Sequence, residues 1–208
     1  MKAGPALVLL LLLLSPACKS QEARDKEHKD FGALEELRKK MSKLPKIKRE
    51  AAEAEAAGSA PLTLGKKGDY LCLFVDPPQD SFQRSAEGYN GKHEVSECER
   101  TAASRPGNVD RSKIDQCNDI HYVAAIKTRR LVKPTFSGGS KFVAGLYEYD
   151  LLVYDFESGK PLGGAKLTAQ NSETVKARPG GFTEDKLLTD LLENACSNVE
   201  KAVAAAAK

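Results

Sequence analysis

The chain has no tryptophan, three histidines in 208 residues and only 6% aromatic side chains. So few rings argue against a stacking platform for single-stranded nucleic acid. The charge balance argues against nucleic acid in general: 32 Lys and Arg stand against 29 Asp and Glu, a formal net charge of +3. Few histidines leave few general bases that titrate near neutrality. No glycine-rich phosphate cradle occurs, since Glu157-Ser158-Gly159-Lys160 reads as a hairpin turn rather than a nucleotide loop. A nucleophile elbow is also missing. So is any apolar run of about 20 residues, the length a helix needs to cross a bilayer.

What is present begins at the first residue. Met1-Lys2 gives a positive start, Ala6 to Leu14 is an unbroken apolar run, and Ser15-Pro16-Ala17 leads into Cys18. That run has the dimensions of a signal-peptide core rather than a membrane span. Residues Leu14 to Cys18 resemble the lipobox of small bacterial lipoproteins, although Leu14 lies one position further from the cysteine than is usual and Pro16 stands where a small residue is favoured. The resemblance implies lipidation of Cys18 as the mature N-terminus, a membrane anchor of three acyl chains, and a place in the cell envelope on the periplasmic side. Lys19, where an aspartate would resemble an inner-membrane retention signal, favours the outer membrane. Ser15 and Ala17 equally suit an ordinary signal peptidase, which would leave a cleaved protein without lipid.

Export bears on the remaining four of the five cysteines, Cys72, Cys98, Cys117 and Cys196. An even number in an oxidising compartment reads as a disulfide framework with three possible connectivities. Cys98 and Cys117 flank one polar stretch and form the most natural local pair. Cys72 in an apolar strand and Cys196 on an apolar helix face would form a second bridge or stay buried as small hydrophobes. The alternative, a zinc site from His93, Cys98, Cys117 and His121, lacks the close Cys-Cys and His-His spacing of structural zinc centres. Disulfide is therefore expected, with neither metal nor cofactor.

The sequence divides into a signal peptide (1–17), a charged helical tether and linker (18–61) and a globular domain (62–208). Residues 19–57 hold eleven Lys or Arg and nine Asp or Glu with almost no β-branched side chains, which favours helix. Phe31, Leu34, Leu37, Met41 and Leu44 recur at helical spacing as a narrow apolar stripe. Pro45 interrupts it, and Gly58-Ser59-Ala60-Pro61 reads as a linker. The expectation is a solvated, lipid-anchored tether that would reach about 60 Å if fully helical. Two competing uses are docking of the stripe on the protein's own domain or another copy, and contact of Arg38, Lys39, Lys40, Lys43, Lys46, Lys48 and Arg49 with an anionic envelope surface.

In the domain, Tyr70 to Val75 reads as a strand and the turn-rich 77–119 as a loop, organised by a short helix near Val95 to Ala103 and the Cys98–Cys117 bridge. Ile120 to Val132, Phe142 to Tyr154 and Leu162 to Ala169 alternate like an antiparallel meander, with Tyr147, Tyr149, Leu151 and Val153 on one face and Glu148 and Asp150 on the other. Pro179-Gly180-Gly181 closes the sheet region. Thr183 suits the N-cap of a final helix whose stripe is Leu188, Leu191, Leu192, Ala195, Val199 and Ala202. This predicts an α+β fold: an antiparallel sheet of about four strands packed by a C-terminal helix.

No residue earns a catalytic assignment. Ser140, His93 and Asp76 make a triad only on paper, and Glu148 with Asp150 reads as a solvated strand face rather than a glycosidase pair. The expected function is a lipid-anchored cell-envelope protein, not an enzyme. Its domain would bind or support another envelope protein or polymer, and its membrane contact would be through Cys18. An alternative is a periplasmic small-ligand domain with a pocket lined by Tyr147 and Tyr149. A third is an envelope hydrolase, which would need a cleft holding His93 or His121 beside carboxylates.

Overall fold

The computed structural model describes residues 21–54, 61–65, 67–76, 95–138, 141–175 and 184–207. The leader with Leu14 and Cys18, the linker glycine, His93, Ser140, Thr183 and the 179–181 turn lie outside these residues.

Among the described residues, five helices and six strands follow in the order α1 (Gln21–Met41), α2 (Leu44–Glu53), β1 (Asp69–Phe74), α3 (Val95–Ala103), α4 (Arg111–Asn118), β2 (Ile120–Val132), β3 (Thr135–Gly138), β4 (Lys141–Val143), β5 (Leu146–Asp155), β6 (Pro161–Gln170) and α5 (Glu184–Ala206). The main sheet has strand order β1-β2-β5-β6. β2, β5 and β6 form the expected antiparallel meander, but β1 runs parallel to β2. The long connection from β1 to β2 makes this possible, because parallel neighbours need a crossover of a dozen or more residues, and α3 and α4 lie on it.

Both sheet faces are covered. One core joins Leu71, Val123, Ala125, Tyr154 and Phe156 of the sheet side to Leu34, Leu37, Met41, Leu44, Ile47 and Ala51 of α1 and α2, with Cys98, Ala102, Ile114 and Cys117 of α3 and α4. The other joins Cys72, Tyr122, Ala124, Ile126, Tyr147, Tyr149, Leu151 and Val153 to Leu188, Leu191, Leu192, Ala195 and Val199 of α5. Residues 21–53 are therefore a layer of the fold rather than a solvated tether, and the core spans the expected boundary at 61/62. Ile47 and Ala51 continue the α1 stripe past Pro45, which sits in the first turn of α2 where its missing N–H has no helical partner to lose.

The basic cluster fastens this layer. Arg38 donates from Nε to the Ala102 carbonyl and from its guanidinium to that of Ser104, both at 2.8 Å, at the end of α3. Lys40 donates to the Asn118 carbonyl at 2.5 Å at the end of α4, and its ammonium lies 5.3 Å from the Phe156 ring centre. Lys43 donates to the Glu157 carbonyl. Lys127 of β2 reaches back to the Ala52 and Ala54 carbonyls at 2.7 Å, closing α2. Three helix C-termini are thus capped by cations, where the unsatisfied carbonyls and the helix dipole favour positive charge. The competing use of the basic cluster, contact with an anionic surface, gives way for Arg38, Lys40 and Lys43 to these internal bonds.

On the opposite side α5 is stitched to β6 and the residues after it. Asn194 donates to the Gln170 carbonyl and Asn198 to that of Thr168, at 2.9 Å each. The Asp190 carboxylate accepts from Asn171 Nδ2, from the Ser172 N–H and from the Ser172 hydroxyl. The alanine-rich end of α5 is held as well, since the Leu64 N–H donates to the Ala206 carbonyl at 3.0 Å.

The expected strand from Phe142 to Tyr154 divides at Ala144-Gly145, giving β4, which pairs only with β3, and β5. Gly145 is the cause. A Cβ there would lie 2.7 Å from Pro134 Cδ and 2.8 Å from both Pro134 N and the Val132 carbonyl oxygen, all held by backbone or ring. Gly145→Ala is expected to lower the unfolding free energy by about 1–3 kcal/mol, the usual cost of forcing an extra methyl into a packed site. Urea titration followed by circular dichroism checks this, and an unchanged midpoint refutes it.

A cleft between the first strand and the C-terminal helix

At the start of β1 the pairing slips. Asp69 faces Ile120 while Tyr70 faces Tyr122, so His121 is the extra residue of a bulge in β2. The bulge turns His121 toward the segment entering β1, and Gly68 accepts it: an added Cβ would stand 3.0 Å from His121 Cβ and Cγ. His121 Nδ1 is buried and has no hydrogen-bond partner among the described residues.

Around this point lies a cleft of about 860 Å³. Its walls are the entry to β1 (Leu64, Lys67, Gly68, Asp69, Tyr70), the entry to β2 (Asp119, His121) and the second half of α5. Glu193, Cys196, Ser197 and Glu200 reach it together because their three- and four-residue spacing puts them on one helix face. The remaining wall is apolar, from Leu64, Val203, Ala204 and Ala207. Among the described lining residues, four carboxylates, Asp69, Asp119, Glu193 and Glu200, accompany one lysine, Lys67. The half-buried Tyr70 hydroxyl is held well above its ordinary pKa, first by burial and then by the neighbouring thiols and carboxylates.

Cys98 and Cys117 are joined in a disulfide between α3 and α4, with Cα atoms 5.7 Å apart. Bonded to each other, these sulfurs are not available as the thiolates a zinc site would need. Cys72 and Cys196 are not bridged; the Cys72 thiol donates a hydrogen bond to the Cys196 sulfur. That bond raises the Cys72 pKa, and burial raises it further. The same bond lowers the pKa of Cys196, against opposing effects of burial and Glu193.

Tyr147 and Tyr149 do not line this cleft. Both are fully buried beneath α5, stacked with ring centres 4.8 Å apart, and the Tyr149 hydroxyl donates to the Ala195 carbonyl at 2.8 Å. Asp150 is not solvated: it is 3% exposed, and Arg129 Nε lies 3.2 Å from its carboxylate. Glu148 remains half-buried, and neither carboxylate lines the cleft. Asp76 accepts from the Thr128 N–H at 3.0 Å. Among the described residues no group of three or more His, Cys, Asp and Glu is placed to hold a metal ion, and no helix is long and apolar enough to cross a membrane.

Lys67, Asp119, Glu193, Ser197 and Glu200 carried no individual signal in the sequence. The spacing of Glu193, Cys196, Ser197 and Glu200 was the available one, a polar face opposite the apolar stripe of the same helix. No family model matches the chain, and no curated protein is similar to it. The fold and cleft describe a two-faced α+β domain with an acidic groove at one end of its sheet.

Proposed function

We propose that this is a lipid-anchored protein of the cell envelope, held in the outer membrane through Cys18. In this reading its domain binds an amine-bearing segment of another envelope protein or polymer without catalysis. The observation that carries it is the cleft of about 860 Å³, where among the described residues Asp69, Asp119, Glu193 and Glu200 stand with Lys67. Carboxylates around an apolar floor favour a ligand that presents cationic groups on an otherwise uncharged body, because opposite charge steers encounter and apolar contact holds the complex. The anchor rests on the resemblance of Leu14 to Cys18 to a lipobox. Three acyl chains make attachment effectively permanent, each buried CH₂ contributing about 0.8 kcal/mol.

A second reading, a small-ligand site of an exported domain, draws support from the same volume, which lies within the range of about 300–1,000 Å³ typical of ligand pockets. His121 among carboxylates also meets the geometric condition set for a hydrolase. The buried Nδ1 of that histidine has no hydrogen-bond partner among the described residues, so no nucleophile is held at that atom, and the binding reading is preferred.

Two measurements test the proposal in intact cells of a host that processes lipoproteins. Cys18→Ser is expected to move the protein from the membrane to the soluble fraction, and unchanged retention removes the anchor. A photo-crosslinking residue at Ser197 is expected to capture an envelope protein or polymer, whereas one at the distant, exposed Glu99 of α3 does not. Equal capture at both positions, or none at Ser197, removes the binding site.

A further inference from the structure

Cys72 and Cys196 come from β1 and α5, separated by more than half the chain, yet the fold brings their sulfurs into one hydrogen bond. Their access differs sharply. Cys72 is 1% exposed, inside the core between sheet and helix, while Cys196 is half-buried and contributes to the cleft wall. We infer that Cys72 and Cys196 form a reversible dithiol/disulfide site. Cys196 is the attacking sulfur reached through the cleft, Cys72 the resolving sulfur behind it, and the substrate a molecule bearing a disulfide.

The chemistry follows from that asymmetry. A thiolate attacks a disulfide in line with its S–S bond, so only a sulfur that opens to the incoming molecule can begin exchange. Cys196 attacks one sulfur of the incoming disulfide, forming a mixed disulfide and expelling the other half as a thiolate. Cys72 then attacks the Cys196 sulfur and expels the second half as a thiolate, which takes up the Cys72 proton. One S–S bond breaks and one forms. The two protein thiols are oxidised by two electrons in all, and the incoming disulfide is reduced to two thiols, which take up the two protons. Closure brings the sulfurs from hydrogen-bonded to covalent separation of about 2.05 Å and ties the first strand to the cleft-lining helix.

The surroundings support this order of attack. The Cys72 S–H stabilises the Cys196 thiolate, and the ionisation of Cys72 itself is opposed by that bond and by burial. Among the described residues, Tyr70, Tyr147 and Tyr149 feel these sulfurs from the sheet and Glu193 from the helix. Burial holds all three tyrosines neutral, so the carboxylate of Glu193 is the main opposing charge. The Cys98–Cys117 bond lies in the other core and takes no part.

The test uses the folded protein and glutathione disulfide, followed by intact and peptide mass spectrometry under non-reducing conditions. Wild type is expected to yield a Cys72–Cys196 cross-linked peptide that dithiothreitol reverses under native conditions. Cys72→Ser should stop at a mixed disulfide with glutathione on Cys196. Cys196→Ser should leave Cys72 unmodified, at least tenfold more slowly labelled than Cys196 in the companion variant. Equal labelling of the two variants overturns the assignment of the attacking sulfur. Absence of the cross-linked peptide from wild type overturns the pair itself. Retained native circular dichroism in each variant separates these outcomes from loss of fold.

Discussion

Leu37→Ala is expected to lower the unfolding free energy by about 3 kcal/mol, while Phe31→Ala on the same helix changes it by less than about 0.5 kcal/mol. Both side chains belong to one apolar stripe in the sequence, and the difference comes from tertiary position. Leu37 has no exposed surface and packs in the core shared with α3, α4 and the sheet, whereas Phe31 is 51% exposed. Truncating a buried leucine removes its transfer free energy and leaves a cavity that neighbours fill only partly. Chemical denaturation measures both variants directly. A solvated tether would give two equally small effects, and that result would displace residues 21–53 from the core.

The second large effect is expected at the disulfide. Replacing both Cys98 and Cys117 with alanine should cost about 3 kcal/mol, since the bond closes a loop of 19 residues that the unfolded chain must otherwise leave open. For a domain of this size, that corresponds to a fall in Tm of about 6–12 °C. Alanine rather than serine is the informative replacement, because both sulfurs lie in the apolar core and a hydroxyl there would add its own desolvation cost. Hydrogen exchange should quicken most in α3 and α4, which the bond joins. A Tm shift below about 2 °C, with both helices still protected, would show that packing by Ile114 and Ala102 alone holds the crossover.

Much of the element pattern was legible. The helix at Val95–Ala103 and the strand at Ile120–Val132 fall where period and turn residues put them. The local cysteine pair was legible too, because the polar stretch between the two sulfurs leaves them free to meet. α4 was missed although Asp110 carries a capping signature, its side chain accepting from the Ser112 N–H at 2.9 Å. That helix buries only Ile114 and Cys117, too short an apolar stripe to stand out in a charged segment. Asp150 misled the reading of β5. Its charge suggests a solvent face, yet Arg129 on the adjoining strand pairs with it and α1 and α2 cover that side of the sheet.

Periodicity is a property of neighbours along the chain, so residues alone marked most of the segments that are helix or strand and most of the sides that are apolar. They also show a short apolar run, Ala6 to Leu14, ahead of the body. What an apolar side packs against is a property of the whole chain. Only the fold decided that α1 and α2 form a layer, that β1 runs parallel, and that His121, Tyr70 and the polar face of α5 meet in one cleft. The physical reason is that burial rewards any apolar partner of suitable shape. The stripe on α1 specified that it would be covered, and the two-sided sheet was needed to say by what.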